Sequence, residues 1–268
     1  MIFVYVISGV VLFLAALLLF LTFPSGRRHE FEKKLDGLFI AHRGLFNNKN
    51  GVPENSMEAF SLAVAKGYGI ETDLRLTADG EVVIFHDNTL KRMCGVDKRV
   101  DEFTLQELRE FSLLDTKCRI PTLKEFLKLV DGKVFLVLEF KCDNKDCSEL
   151  CSKVNEILKN YTGDYCMESF YPPAVGWYKK HRKDIMRGQL AMPYKGNNPA
   201  KKVAGMYLAN CLSRPDFVAF DVRASKKIFF RLQKFLGAYP VGWTVVSAEQ
   251  LGNVKNDFKA YIFEGFEP

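Results

Sequence analysis

The chain has 268 residues, of which 48% are hydrophobic and 26% charged, enough for one large domain or two small ones. Its net charge of +6 is spread along the sequence, with no long basic run interleaved with aromatics, and this sets nucleic-acid binding aside. The seven cysteines are odd in number and contain no Cys-x-x-Cys pair, so they argue for reduced thiols rather than a disulfide framework or a zinc site.

Ile2 to Phe23 carries no charge, and as a helix rising about 1.5 Å per residue it would run about 33 Å, enough to cross a bilayer core. A cleaved signal peptide would want a basic lead, a shorter apolar core and a small-x-small cleavage site, none of which stands here. We therefore expect a retained single-pass anchor over 1–24. Arg27, Arg28, Lys33 and Lys34 follow it closely, and the positive-inside rule then puts the C-terminal side in the cytoplasm. Residues 25–37 read as a basic juxtamembrane linker and 38–268 as one folded domain.

Within that domain, 37–41 reads as a buried strand ending at His42, and the polar stretch 44–51 as a loop. Asn55 is expected to open a helix, with Glu58 at capping-box spacing and Lys66-Gly67 closing it. Gly69 to Leu74 is a strand, and Asp79-Gly80 turns 75–86 into a hairpin whose return leg brings His86 back towards Asp73. Residues 88–121 interrupt the alternation, with a capped helix opening at Thr104 and another at Thr122. A strand over 134–140 follows. Helices near 146–160, 173–181, 199–209, 225–236 and 248–253 then alternate with strands near 165–168, 185–190, 217–220, 239–245 and 259–263. Such alternation predicts a parallel sheet covered by helices, closed or open.

The chemistry concentrates between His42 and Asp87. Glu71 and Asp73 are two apart on a strand and so project to one face. Two carboxylates that close repel unless a cation lies between them, and oxygen ligands suit Mg²⁺ or Ca²⁺. On their own they read more readily as a solvated acidic face paired with Arg75. The neighbouring His42 and His86 offer an acid and a base near neutral pH, which points to metal-assisted hydrolysis. Glu139 and Lys141 repeat the spacing at the end of a later strand.

The series His42-Arg43-Gly44, Pro53-Glu54-Asn55, Glu71-x-Asp73, Thr77-x-Asp79-Gly80 and His86-Asp87 resembles the glycerophosphodiester phosphodiesterase family. Ser169-Phe170 and Trp243-Thr244-Val245 extend the resemblance. It implies an α/β fold, a (β/α)8 TIM barrel with a small insertion after the second strand, here preceded by one transmembrane helix. It implies hydrolysis of glycerophosphodiesters to sn-glycerol 3-phosphate and an alcohol, assisted by a divalent metal. The metal would sit on Glu71, Asp73 and Glu139, between His42 as base and His86 as acid. Arg43 and Lys141 would hold the phosphate, Gly44 would let the backbone come close, and Trp243 would pack on the glycerol carbons. Glu54 and Asn55 would stand behind them. Where the family closes with Thr-Asp-x-Pro after its last strand, this chain has Glu264-Gly265-Phe266-Glu267-Pro268.

The expected partners are a glycerophosphodiester or lysophospholipid substrate and the membrane, with nothing marking an obligate protein partner. Lysophospholipase D-like or sphingomyelinase D-like activity, and a phospholipid-binding barrel without turnover, are the alternatives. His29, His181 and the lysines from Lys195 to Lys202 belong to no motif and read as solvated, although the Lys195 loop could touch substrate or membrane.

Overall fold

The computed structural model describes residues 1–27, 29–142, 146–194 and 196–268, so Arg28 and Lys195 lie outside the described residues. Eight parallel strands close into a barrel: β1 Phe39–His42, β2 Gly69–Leu76, β4 Leu136–Phe140, β5 Tyr165–Ser169, β6 Arg187–Ala191, β7 Phe217–Asp221, β8 Tyr239–Val245 and β9 Ala260–Phe263. Closure comes from β1, which pairs with β2 on one side and β9 on the other. The remaining strand, β3 Val82–Ile84, pairs antiparallel with the end of β2 as the return leg of the expected hairpin.

Alternation along each strand divides the core in two. Ile70 and Leu74 of β2 face outwards into a layer shared with the helices, together with Phe60, Phe126, Tyr178 and Phe230. Ile40, Val137, Cys166, Phe217, Val241 and Ile262 fill the barrel interior. Leu35, on the short helix Glu32–Leu35, joins this inner set and plugs the barrel floor, where Phe31 meets Phe135 edge-on at 5.8 Å. Within the stretch expected as a linker, Phe31 and Leu35 are thus packed under the barrel. His29, expected to be solvated, has its Nε2 2.9 Å from the Asp184 carbonyl.

The helix expected from Asn55 starts one residue later. Ser56 is the N-cap of Met57–Lys66 and accepts from the Ala59 N–H, so Glu58 stands outside any capping box with Asn55. Asn55 adopts a left-handed φ of 56° and spends its side chain elsewhere. The capping boxes at Thr104 and Thr122 form as the sequence predicts. Between β3 and β4 the insertion builds its own small core from Phe85, Leu90, Met93, Leu108, Leu113 and Ile120. Thr77 and Asp79 fasten the hairpin turn to it, through Asp79 Oδ1 accepting from the Leu105 N–H at 3.1 Å.

Candidate active site

Strand register assembles the acids. His42 pairs with Glu71 across β1 and β2, Asp73 with Glu139 across β2 and β4, and Glu139 with Glu168 across β4 and β5. Residues level with one another in a parallel sheet point to the same face, so a row of carboxylates lines the inner wall at the C-terminal end of the barrel. All four acids are buried. One oxygen from each of Glu71, Asp73 and Glu139 lies within 4.8 Å of the others.

Three buried carboxylates need positive charge. Lys141 supplies some, with Nζ 2.6 Å from Glu139 Oε1 and 3.0 Å from Asp73 Oδ1. Asn55 donates from Nδ2 to Asp73 Oδ2 at 2.7 Å while its Oδ1 accepts from Thr72 at 2.8 Å, so it serves the acid instead of the helix end. The Arg43 N–H donates to Glu71 at 3.1 Å. Burial works against the charge on Asp73, yet Lys141 and Arg43 hold its carboxyl well below the usual range. Burial, then Asp73 and Glu139, push Glu71 well above that range, and burial with Asp73 raises Glu139. Burial and Glu139 likewise raise Glu168, whose Oε2 is buried without a hydrogen bond. Asp73 Oδ1 also lacks a well-directed hydrogen bond. A cluster with surplus carboxylate charge and buried acceptor oxygens fits a hard divalent cation. Arg75, the alternative partner for these acids, donates to the His86 carbonyl at 2.6 Å and to Asn88 instead.

Each histidine is held by a carboxylate. His42 Nδ1 lies 2.6 Å from Glu264 Oε2, leaving Nε2 on the cavity side, 3.8 Å from Glu71. His86 Nδ1 lies 2.6 Å from Asp87 Oδ1. Burial, reinforced by Lys141 and Arg43, lowers His86 to about 4 against the pull of Asp73 and Asp87.

Behind His86 runs a chain of ion pairs. Asp87 binds Arg92, Arg92 binds both oxygens of Glu54, and Glu54 binds Arg43 at 2.6 Å. Despite burial, Arg92 and Arg43 lower Glu54 to about 2, and Arg92 and His86 lower Asp87 to about 2. Both carboxylates are depressed on folding, so their contribution is complete above the ordinary carboxylate range and is lost as pH falls towards 2. Arg92→Ala is expected to move the acid-unfolding midpoint upwards, costing about 1–2 kcal/mol after allowance for solvent screening at the half-exposed arginine. An acid titration followed by circular dichroism checks this, and an unmoved midpoint would count against the network.

Gly44 does let the backbone come close, as expected. Its φ is +80°, and a Cβ there would meet the Ala59 carbonyl carbon at 2.8 Å, so the close approach is to the following helix.

Eight of the ten residues singled out from the sequence, His42, Arg43, Glu54, Glu71, His86, Glu139, Lys141 and Trp243, line one cavity of about 390 Å³. Asp73 and Asn55 stand behind its wall, joined to each other. Glu168 and Glu264 also line it, as does Phe170, which meets Trp243 edge-on at 5.5 Å. The sequence reading missed the roles of Glu168, Glu264 and Arg92. A signal existed for Glu264, a carboxylate directly after the last strand.

Comparison with known proteins agrees. Residues 42–166 match the model of the glycerophosphoryl diester phosphodiesterase family. Over 107 residues the chain is 43% identical to a glycerophosphodiester phosphodiesterase of Caldanaerobacter subterraneus, a match covering 37% of this chain and 43% of that protein. A glycerophosphodiester phosphodiesterase structure from Thermotoga maritima superposes with a TM-score of 0.65 at 26% identity, covering 84% of this chain and 93% of that one. An Oleispira antarctica phosphodiesterase in complex with the product sn-glycerol-3-phosphate superposes with a TM-score of 0.70 at 22% identity, over 87% and 94% of the two chains. With its motifs in this order on this barrel, the chain is similar to the glycerophosphoryl diester phosphodiesterase family, most directly over residues 42–166.

Proposed function

We propose that the protein is a membrane-anchored, metal-dependent hydrolase that cleaves glycerophosphodiesters to sn-glycerol 3-phosphate and an alcohol. One observation carries this: three buried carboxylates within 4.8 Å of one another, flanked by two histidines that each bind a carboxylate through Nδ1. The 43% identity to the Caldanaerobacter protein supports the substrate class.

Glu71, Asp73 and Glu139 would hold the cation, Mg²⁺ or Ca²⁺, which when bound neutralises charge on the phosphate oxygens. Arg43 and Lys141 face the same cavity and bind the phosphodiester through a planar fork and a point charge. His42, aligned by Glu264, accepts the proton of the attacking water or of the substrate's own glycerol hydroxyl. His86 protonates the departing alkoxide. In the ligand-free site burial and the two cations keep His86 neutral near pH 7. An anionic phosphodiester set on Lys141 and Arg43 offsets part of their field and so favours the protonated ring this role requires. Trp243 and Phe170 make an apolar wall suited to glycerol carbons.

The helix Ile2–Thr22 serves as the anchor, and Arg27, Arg28, Lys33 and Lys34 put the barrel on the cytoplasmic side. A glycerophosphocholine hydrolysis assay tests the chemistry. Chelator is expected to remove activity and Mg²⁺ or Ca²⁺ to restore it, while His42→Ala lowers kcat by about 10²–10⁴. Hydrolysis that survives both treatments removes this reading.

A further inference from the structure

Among the described residues, the apolar helix Ile2–Thr22 is bonded to the barrel through its last turn, and residues 1–20 are exposed throughout. That last turn is nevertheless built into the fold. A helix end leaves carbonyls without partners, and here the barrel supplies them. Asn210 and Gln233, both fully buried, donate to the Thr22 carbonyl at 3.0 and 2.9 Å. Arg214 donates to the carbonyls of Phe20 and Phe23 at 3.0 and 2.7 Å. Just beyond, Arg27 forms a two-pronged pair with Asp216, 2.7 Å on each prong, and the Ser25 N–H donates to the Pro215 carbonyl. A segment destined for removal would leave two buried carboxamides without this acceptor.

All of these contacts lie at one end of the barrel. Arg214 to Asp216 immediately precede β7, and Gln233 lies near the end of the helix that runs back down from β7. This is the N-terminal end of the strands, the floor, whereas His42, Glu139 and Glu168 stand at the opposite, C-terminal end. Beside the joint the floor exposes Phe235 and Leu212, at 86% and 59%.

We infer that the helix is a retained anchor rooted in the barrel floor, that this floor faces the bilayer, and that the catalytic mouth opens away from it. The diester therefore reaches the mouth from water. A lysophospholipid seated in the same bilayer presents its head group at the wrong end of the barrel, so the substrate class narrows to deacylated, water-soluble glycerophosphodiesters. The choice of substrate rests on the hydrolase reading above, but the orientation does not.

The test uses the full chain reconstituted in phosphatidylcholine vesicles, with and without brominated acyl chains that quench nearby tryptophan. F235W probes the floor and V246W the mouth, where Phe170, Met192 and Val246 are the exposed apolar residues that the reverse orientation would bury. Emission is read as the difference from the parent, which carries Trp177 and Trp243. The added emission of F235W is expected to fall by roughly half and that of V246W to stay unchanged. Quenching of V246W, quenching of neither, or a membrane-derived chain whose mass lacks the helix would each overturn the inference. In the same vesicles, glycerophosphocholine is expected to be hydrolysed and vesicle-borne lysophosphatidylcholine spared; preferential hydrolysis of the latter would overturn the substrate assignment. Turnover of neither, with the quenching pattern as expected, would refute the hydrolase reading and leave the orientation standing.

Discussion

Glu71→Gln is expected to silence hydrolysis while making the metal-free protein harder to unfold. Glu71 is buried among Asp73 and Glu139, and its carboxyl is pushed well above the usual range. A raised carboxyl pKa means that folding is penalised by ionisation. The penalty is absent below the ordinary carboxylate range and grows as pH rises. Glutamine keeps the shape and drops the charge. At pH 8 the metal-free variant should gain on the order of 1 kcal/mol, which for a domain of this size is about 2–4 °C in Tm. Metal should reverse the order: at a hundredfold excess over Kd it stabilises the parent by about 2.7 kcal/mol, and the variant, lacking one ligand, much less. Loss of that ligand should lower kcat about 10³-fold. Thermal scans at pH 8 with and without Mg²⁺ or Ca²⁺ check the pair of signs. A variant that is less stable without metal and still fully metal-responsive would sink the proposed metal centre.

Glu264→Gln should cost about 10²-fold or more in kcat with little change in KM. In the proposed mechanism the carboxylate at 2.6 Å would fix which ring nitrogen of His42 carries the hydrogen and would steady the imidazolium formed as His42 takes a proton. An amide can still reach the ring, but it brings no charge and can turn its NH₂ towards Nδ1. Because Glu264 acts through His42, the two losses should not add: H42A/E264Q should be no slower than H42A alone. Multiplicative losses would show that Glu264 has some other task.

What could be read from the sequence was what local pattern carries. The strands, the hairpin and the two capping boxes depend on neighbours within a few residues, and they form where the pattern puts them. Glu71 and Asp73 were legible because strand alternation sends them to one face, and His42 and His86 because each ends an apolar run. Asn55 was half legible. Its residue type suits a helix cap, and only the position of Asp73 in space shows that the carboxylate outcompetes the helix end for the amide. Arg92 looks like any solvated arginine until the insertion folds over and brings it to Glu54. Glu168 stands just before the Ser169-Phe170 pair, but its membership of the acid row depends on the register of β5 against β4. Glu264 departs from the family's Thr-Asp; its place directly after the last strand was a signal, but its partner stands 222 residues earlier, beyond the reach of local pattern.

If the proposed mechanism holds, that separation ties catalysis to the order in which the protein is made. The first strand leaves the ribosome with two edges to satisfy, and one of them waits for residues 260–263. The contact between His42 and Glu264 arises in the same closing event. Nascent or partly folded chains therefore hold the acids and both imidazoles yet lack the group that aligns one of them, and contacts so distant in sequence form slowly. Full turnover thus reports that the ring has shut.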